Sequence, residues 1–232
     1  MNHLRAKLFK KAELLQTSCL TLKKNTPKLI DKSCNSHVIL LEEEEENESL
    51  YIHSAFSGDE YAFIGNEFQL NFLENAKKVD FMYIFFSKDK KAHAYLYDMK
   101  KTFSGIDVIL KLVGQWKSSI EDVVYCVGKL DEYELTCIKI GVITEKDDKD
   151  QRKLDLEPIL KIDDIPAKLP TFMKSKHLAD NTTNAILAKK LSGFLEGKIT
   201  INGHTYKYDI RKFVDKKHDM YFNDGILKEE FE

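Results

Sequence analysis

Two aspartates and a lysine stand out for their spacing: Asp80, and then Asp98-Met99-Lys100. Around them lie two apolar runs, Val79 to Phe86 and Ala92 to Met99, joined by the polar Ser87-Lys88-Asp89-Lys90-Lys91. The runs read as antiparallel strands and the polar piece as their turn. With the turn centred on Asp89, Phe86 faces Ala92, Ile84 faces Ala94 and Met82 faces Leu96. The next pair on that face is Asp80 with Asp98. Like charges directly opposite each other weaken a sheet, so the pair asks for a cation or for good solvation. Side chains alternate along a strand, which puts Lys100 on the face of Asp98. A helix expected over residues 59–78 brings Glu67 towards the same point.

Three carboxylates and an ammonium at a sheet end suit a magnesium ion, a hard cation that takes oxygen ligands and keeps several waters. Such a cation acidifies its water and offsets charge on a phosphoryl oxygen. A neighbouring ammonium orients the water or steadies the charge that develops. The tripeptide alone means little, because an acid two residues before a lysine recurs at Asp89, Asp147, Glu196 and Asp215. Its weight comes from the frame of strand, short turn, strand and flanking helices.

That frame needs more elements. After Thr102-Phe103-Ser104-Gly105 the spacing of Ile109, Leu112, Val113, Trp116 and Ile120 predicts a helix over 106–124. A β-branched strand follows over 135–144 and reads as buried on both faces. Upstream, Leu4, Leu8, Ala12, Leu15 and Cys19 recur at helical spacing over 3–24, and 25–36 reads as a connector. Val38 to Leu41 and Leu50 to Phe56 form a hairpin over the acidic run Glu42 to Glu46. That run repels itself and reads as a solvated turn without a catalytic part. Downstream, 145–153 reads as a charged connector, Pro158, Pro166 and Pro170 interrupt an irregular stretch, and a helix is expected over 183–195. Lys198 to Tyr208 reads as a hairpin turning at Asn202-Gly203.

The arrangement resembles the PD-(D/E)xK nuclease superfamily, with its restriction-endonuclease-like fold. Val79-Asp80 stands for the first motif, with valine in place of the proline, and Asp98-Met99-Lys100 for the second. Glu67 matches the acidic residue that members often carry on the first core helix, with Glu60 and Glu74 as alternatives. Gln115 matches a glutamine that several branches add to the site. The resemblance implies an α/β fold, a central mixed sheet flanked by helices, with N- and C-terminal additions. It implies a nuclease core over 49–146, an N-terminal extension over 1–48 and a C-terminal extension over 147–232. In this reading Asp80, Asp98 and Glu67 hold Mg²⁺, for which Mn²⁺ substitutes. Lys100 positions or activates the water, and Gln115 supports Lys100 or the water. The substrate is nucleic acid, DNA before RNA, cut alone, as a homodimer, or with a protein partner in a defence or repair assembly. The rival reading is an interaction subunit that keeps the fold without turnover. A second rival is an inhibitor or scaffold whose acidic run meets a basic partner.

Composition bounds these readings. The 232 residues carry 36 basic and 38 acidic side chains, which excludes a globally cationic nucleic-acid binder. The basic residues are lysines apart from Arg5, Arg152 and Arg211, so phosphates would meet point charges rather than planar forks. Cys19, Cys34, Cys126 and Cys137 are widely spaced and read as reduced thiols of a cytoplasmic protein. No apolar run is long enough for a membrane span, and no signal peptide is expected. The seven histidines form no HxH or HxxxH pattern, and GxSxG, GxxxxGK[ST] and GxGxxG are absent.

Overall fold

The structure, a computed structural model, describes residues 28–31, 37–43, 48–55, 61–65, 77–130, 132–160, 191 and 193–228. Among them the chain forms two sheets and two α-helices. The strands are β1 (Lys28–Asp31), β2 (His37–Glu43), β3 (Glu48–Ala55), β4 (Tyr61–Gly65), β5 (Phe81–Phe86), β6 (Lys91–Phe103), β7 (Glu134–Asp147), β8 (Lys198–Ile201), β9 (His204–Lys212), β10 (Lys217–Asn223) and β11 (Ile226–Leu227). The helices are α1 (Ile106–Gly128) and α2 (Lys149–Leu160). The large sheet has the order β1-β4-β5-β6-β7-β9-β8, and the small one β11-β10-β3-β2. The molecule is therefore a mixed α/β protein.

The hairpin at the centre has the register expected from its turn: Phe86 opposite Ala92, Ile84 opposite Ala94, Met82 opposite Leu96, and Phe81 opposite Tyr97. β6 then continues past the start of β5 and runs parallel to β7, with α1 between them in sequence. Alternation along the strands divides the core in two. Met82, Ile84, Ala94, Leu96 and Val142 pack with Leu112, Trp116 and Val123 of α1. Phe81, Tyr83, Tyr95 and Tyr97 point the other way and pack with Ile52 of β3 and Met220 and Phe222 of β10. The central strands are apolar on both sides because a helix covers one face and the small sheet the other.

Several expectations need correction. The helix expected over 59–78 fails at Tyr61–Gly65, which is β4. There Ala62 and Ile64 enter one core cluster and Phe63 the other, a period of two that outweighs the helical spacing. The strand at 50–56, inside the expected core 49–146, pairs with β2 as expected but lies in the small sheet, and β4 is the strand beside β5. The connector 25–36 contains β1. The acidic run is partly strand, since Glu42 and Glu43 pair with Ser49 and Glu48; Glu44, Glu45 and Glu46 lie outside the described residues. β7 is buried through only its centre, Ile140 to Thr144. The connector 145–153 is the end of β7 and the start of α2, and α2 runs through Pro158. The segment 3–24, and residues 183–190 and 192 of the helix expected over 183–195, lie outside the described residues; Phe194–Glu196 is a 3₁₀ turn. β10 and β11 had no counterpart in the expectations. The hairpin at Asn202-Gly203 is present, with both turn residues at positive φ, as its tight turn requires.

Gly141 shows how closely the sheet is built. It lies between Tyr97 of β6 and Asp209 of β9 in register. The Tyr97 ring crosses over it, and its hydroxyl donates to Asp209 Oδ2 at 2.9 Å. A Cβ on Gly141 would lie 2.3 Å from Tyr97 Cε1 and 2.3 Å from Asp209 Oδ1. On the other side, Trp116 of α1 donates to the Gly141 carbonyl at 3.2 Å. Gly141→Ala should therefore destabilise the protein by about 1–3 kcal/mol, the usual penalty of overpacking. Gly114→Ala, on an open stretch of α1, should stabilise by roughly 0.5–1 kcal/mol. Urea unfolding of both variants checks the pair; equal midpoints would refute the close approach at Gly141.

Candidate active site

The ladder between β5 and β6 ends at Phe81 opposite Tyr97. Asp80 is the residue just before β5, in a bend. Its side chain does what a strand backbone would do one step further on: Oδ2 accepts the Met99 N–H at 2.8 Å. That bond fixes the Asp80 carboxylate against β6, one residue from Asp98. Asp98 is fully buried, on the α1 side of the sheet and in register with Val142. Lys100 follows on the same face. Its Nζ lies 2.8 Å from Asp98 Oδ2, 3.9 Å from Asp80 Oδ2 and 3.1 Å from the Met99 carbonyl, to which it donates.

The three side chains thus converge, and their environment is graded. Asp80 and Lys100 are 19 % and 15 % exposed, so the cluster opens to solvent on their side. Asp98 forms its floor, and its Oδ1 has no hydrogen-bond partner. Burial is the first cause that raises the Asp98 pKa well above the ordinary carboxylate range; the negative Asp80 beside it adds to this, and Lys100 opposes it. A buried carboxyl that shares a hydrogen bond with a second carboxylate, pairs with Lys100 and leaves Oδ1 unused is what a hard divalent cation would satisfy. The fit is good for the two carboxylates. Among the described residues no third Asp, Glu, His or Cys joins them. Glu67, Glu60 and Glu74 lie outside the described residues.

Gln115 is buried on α1, and its Nε2 donates to the Lys78 carbonyl at 2.9 Å. Its observed bond therefore goes to the chain leading into Asp80. Three residues here have no place in the sequence reading. Lys78 is 2 % exposed and pairs with the fully buried Asp122 at 2.9 Å, and Ser119 Oγ accepts the Val79 N–H at 3.0 Å. A signal for them exists. Gln115, Ser119 and Asp122 recur at helical spacing among the apolar residues of α1, a polar stripe on a side that should be core.

No protein-family model, curated protein or solved structure matches the chain. Function therefore rests on the chemistry of the site. No helix among the described residues is long and apolar enough to cross a membrane.

Proposed function

We propose that the protein is a Mg²⁺-dependent nuclease of restriction-endonuclease-like architecture, acting on phosphodiester bonds of DNA. The observation that carries the reading is the convergence of Asp80, Asp98 and Lys100 at one end of the central hairpin, with Asp98 buried and its Oδ1 unsatisfied. The order β5-β6-α1-β7, antiparallel and then parallel across the helix, supports it, since these are the elements expected over 79–144, whereas β4 stands within the helix expected before them.

In this reading Asp80 and Asp98 hold the metal, with Glu67 as the expected further carboxylate. When bound, Mg²⁺ supplies Lewis-acid polarisation of the phosphoryl oxygen and a more acidic water. The chain's own residues do the rest. Asp80 is oriented by the Met99 N–H, so its carboxylate faces the floor without rotamer search. Lys100 presents an ammonium on the open side, where it orients a water and offsets negative charge on the phosphate as it grows. Burial around Asp98 lowers the local dielectric and strengthens each of these interactions.

A lysine-bearing rim of mixed charge extends from the site. Lys100, Thr144 and Lys212 are register partners across β6, β7 and β9 and share one face. Beyond them a cavity of about 1060 Å³ is lined by Lys146, Lys149, Lys153 and Lys212, with Asp147, Asp148, Asp150 and Glu196 among them. Ammonium groups in such a row suit the phosphates of a nucleic-acid backbone. Lys146→Ala with Lys212→Ala should weaken DNA binding in metal-free buffer and flatten the log–log salt dependence by about 0.9 for each phosphate that is no longer neutralised. An unchanged slope would remove this rim from the interface.

The direct test is calorimetric titration with Mn²⁺ and Mg²⁺ beside cleavage of plasmid DNA and of RNA. Metal binding together with metal-dependent cleavage is the expected result; a protein that does neither ends the enzymatic reading. The rival, a module that binds without cutting, is favoured by one observation: the described residues bring two carboxylates together rather than three. DNA binding without cleavage, at saturating metal, would select it.

A further inference from the structure

Asp80 is the candidate ligand that lies outside the strands, and only its carboxylate is tied to one, by the Met99 N–H of β6. Residues 77–79 have no regular structure and Asp80 sits in a bend, so the ladder of β5 does not fix them. What holds this segment is α1. The Lys78 ammonium lies 2.9 Å from Asp122 Oδ2 and donates to the Ser118 carbonyl at 3.2 Å. Gln115 Nε2 grips the Lys78 carbonyl at 2.9 Å, and Ser119 Oγ accepts the Val79 N–H at 3.0 Å. Each of the four side chains is at most 3 % exposed.

This is an unusual way to build a core. Lysine and aspartate are almost never fully buried, and a buried ion pair generally stabilises no better than apolar side chains of the same volume. Directionality is what such groups supply and apolar ones do not. Two backbone groups in succession, the Lys78 carbonyl and the Val79 N–H, are bound to side chains one helical turn apart. That fixes the chain direction entering Asp80.

We infer that Gln115, Ser119 and the Lys78–Asp122 pair are positioning residues for the metal site: the polar stripe of α1 sets where Asp80 stands relative to Asp98, and so sets metal affinity. The inference rests on the proposal that Asp80 and Asp98 share a divalent cation, and it deepens that proposal. Lys78 itself is buried against α1 and is not the ammonium that meets substrate; Lys100 has that place.

The experiment uses the full chain and Mn²⁺ as the probe. Ser119→Ala removes the acceptor of the Val79 N–H with little change in volume. The double variant Lys78→Met with Asp122→Leu replaces the pair by apolar groups and leaves no buried charge behind. Ile109→Ala, in the first turn of α1, is a control that loosens the same helix away from the segment. Thermal unfolding without metal ranks the three for stability, and calorimetry at a temperature where all are folded gives affinity. Both stripe variants should bind Mn²⁺ roughly 10- to 100-fold more weakly, the range seen when groups behind metal ligands are removed. The control should stay within about twofold of wild type even where it melts lower than they do, since it touches no group behind a ligand. Affinity that merely follows melting temperature, or that is unchanged in Ser119→Ala and the double variant, overturns the positioning role while leaving the metal site standing. A wild type that does not bind Mn²⁺ overturns both.

Discussion

Asp98→Asn should make the metal-free protein more stable at neutral pH and deprive it of tight metal binding and cleavage in the same step. Asp98 is fully buried, its Oδ1 has no hydrogen-bond partner, and a second carboxylate adjoins it. The amide keeps the shape, carries no charge to desolvate, and can donate to Asp80. Leaving a buried acceptor unsatisfied costs about 1–3 kcal/mol, more when it is charged, and the amide gives up the Lys100 ion pair in return, so a net gain of about 1–3 kcal/mol is expected. For a chain of this length it amounts to roughly 2–12 °C in melting temperature. The sign follows from the raised pKa. The folded chain holds the Asp98 proton more tightly than the unfolded chain does. The associated stability is present below the ordinary carboxylate pKa of about 3.9 and is lost as pH rises through the raised folded value. The advantage of the variant should thus be small near pH 4 and grow towards neutrality, as read by thermal unfolding in EDTA at several pH values. Adding Mn²⁺ should reverse the ranking, because only wild type gains from it. A variant less stable than wild type throughout would mean that Asp98 is an ordinary structural acid.

Lys100→Ala should separate chemistry from metal binding. Its ammonium is not a ligand, and at 2.8 Å from Asp98 it competes with a cation for the same oxygen. Removing it should leave Mn²⁺ affinity equal or somewhat tighter. Cleavage should fall by about 10²–10³-fold, the loss expected for one donor that offsets charge in the transition state. Calorimetry and plasmid cleavage on one preparation give both numbers. A rate within a few-fold of wild type would remove Lys100 from the chemistry; a parallel loss of metal affinity would make its role one of shaping the site.

The hairpin register and the approach of Asp80, Asp98 and Lys100 are legible in the sequence because they are local. A short polar turn between two apolar runs leaves few registers open, and one of them brings the buried Met82, Ile84 and Phe86 opposite the buried Leu96, Ala94 and Ala92. β4 is less legible: five residues with Ile64 at a helical spacing from Phe68 satisfy two periods, and only the neighbouring β5 decides between them. β10 gives no local sign of its partner, because it pairs in parallel with β3 from the far end of the chain. The bond that Gln115 makes is hidden for a related reason. Its helix is clear, but the Lys78 carbonyl it meets lies in a segment without periodicity.

That parallel pairing of β10 with β3 also governs how the molecule can be made. During synthesis the hairpin β5–β6 and then α1 and β7 emerge early, and α1 can cover its face at once. The opposite face, with Phe81, Tyr83, Tyr95 and Tyr97, waits for Met220, Phe222 and Leu227. Until residues 217–227 have left the ribosome, β3 has one open edge and an aromatic surface faces water. Closing so long a loop is slow, and an uncovered apolar face with an unpaired edge is the state most prone to association. Truncation before Lys217 would make that interval permanent, yielding a chain that retains its candidate catalytic residues yet aggregates.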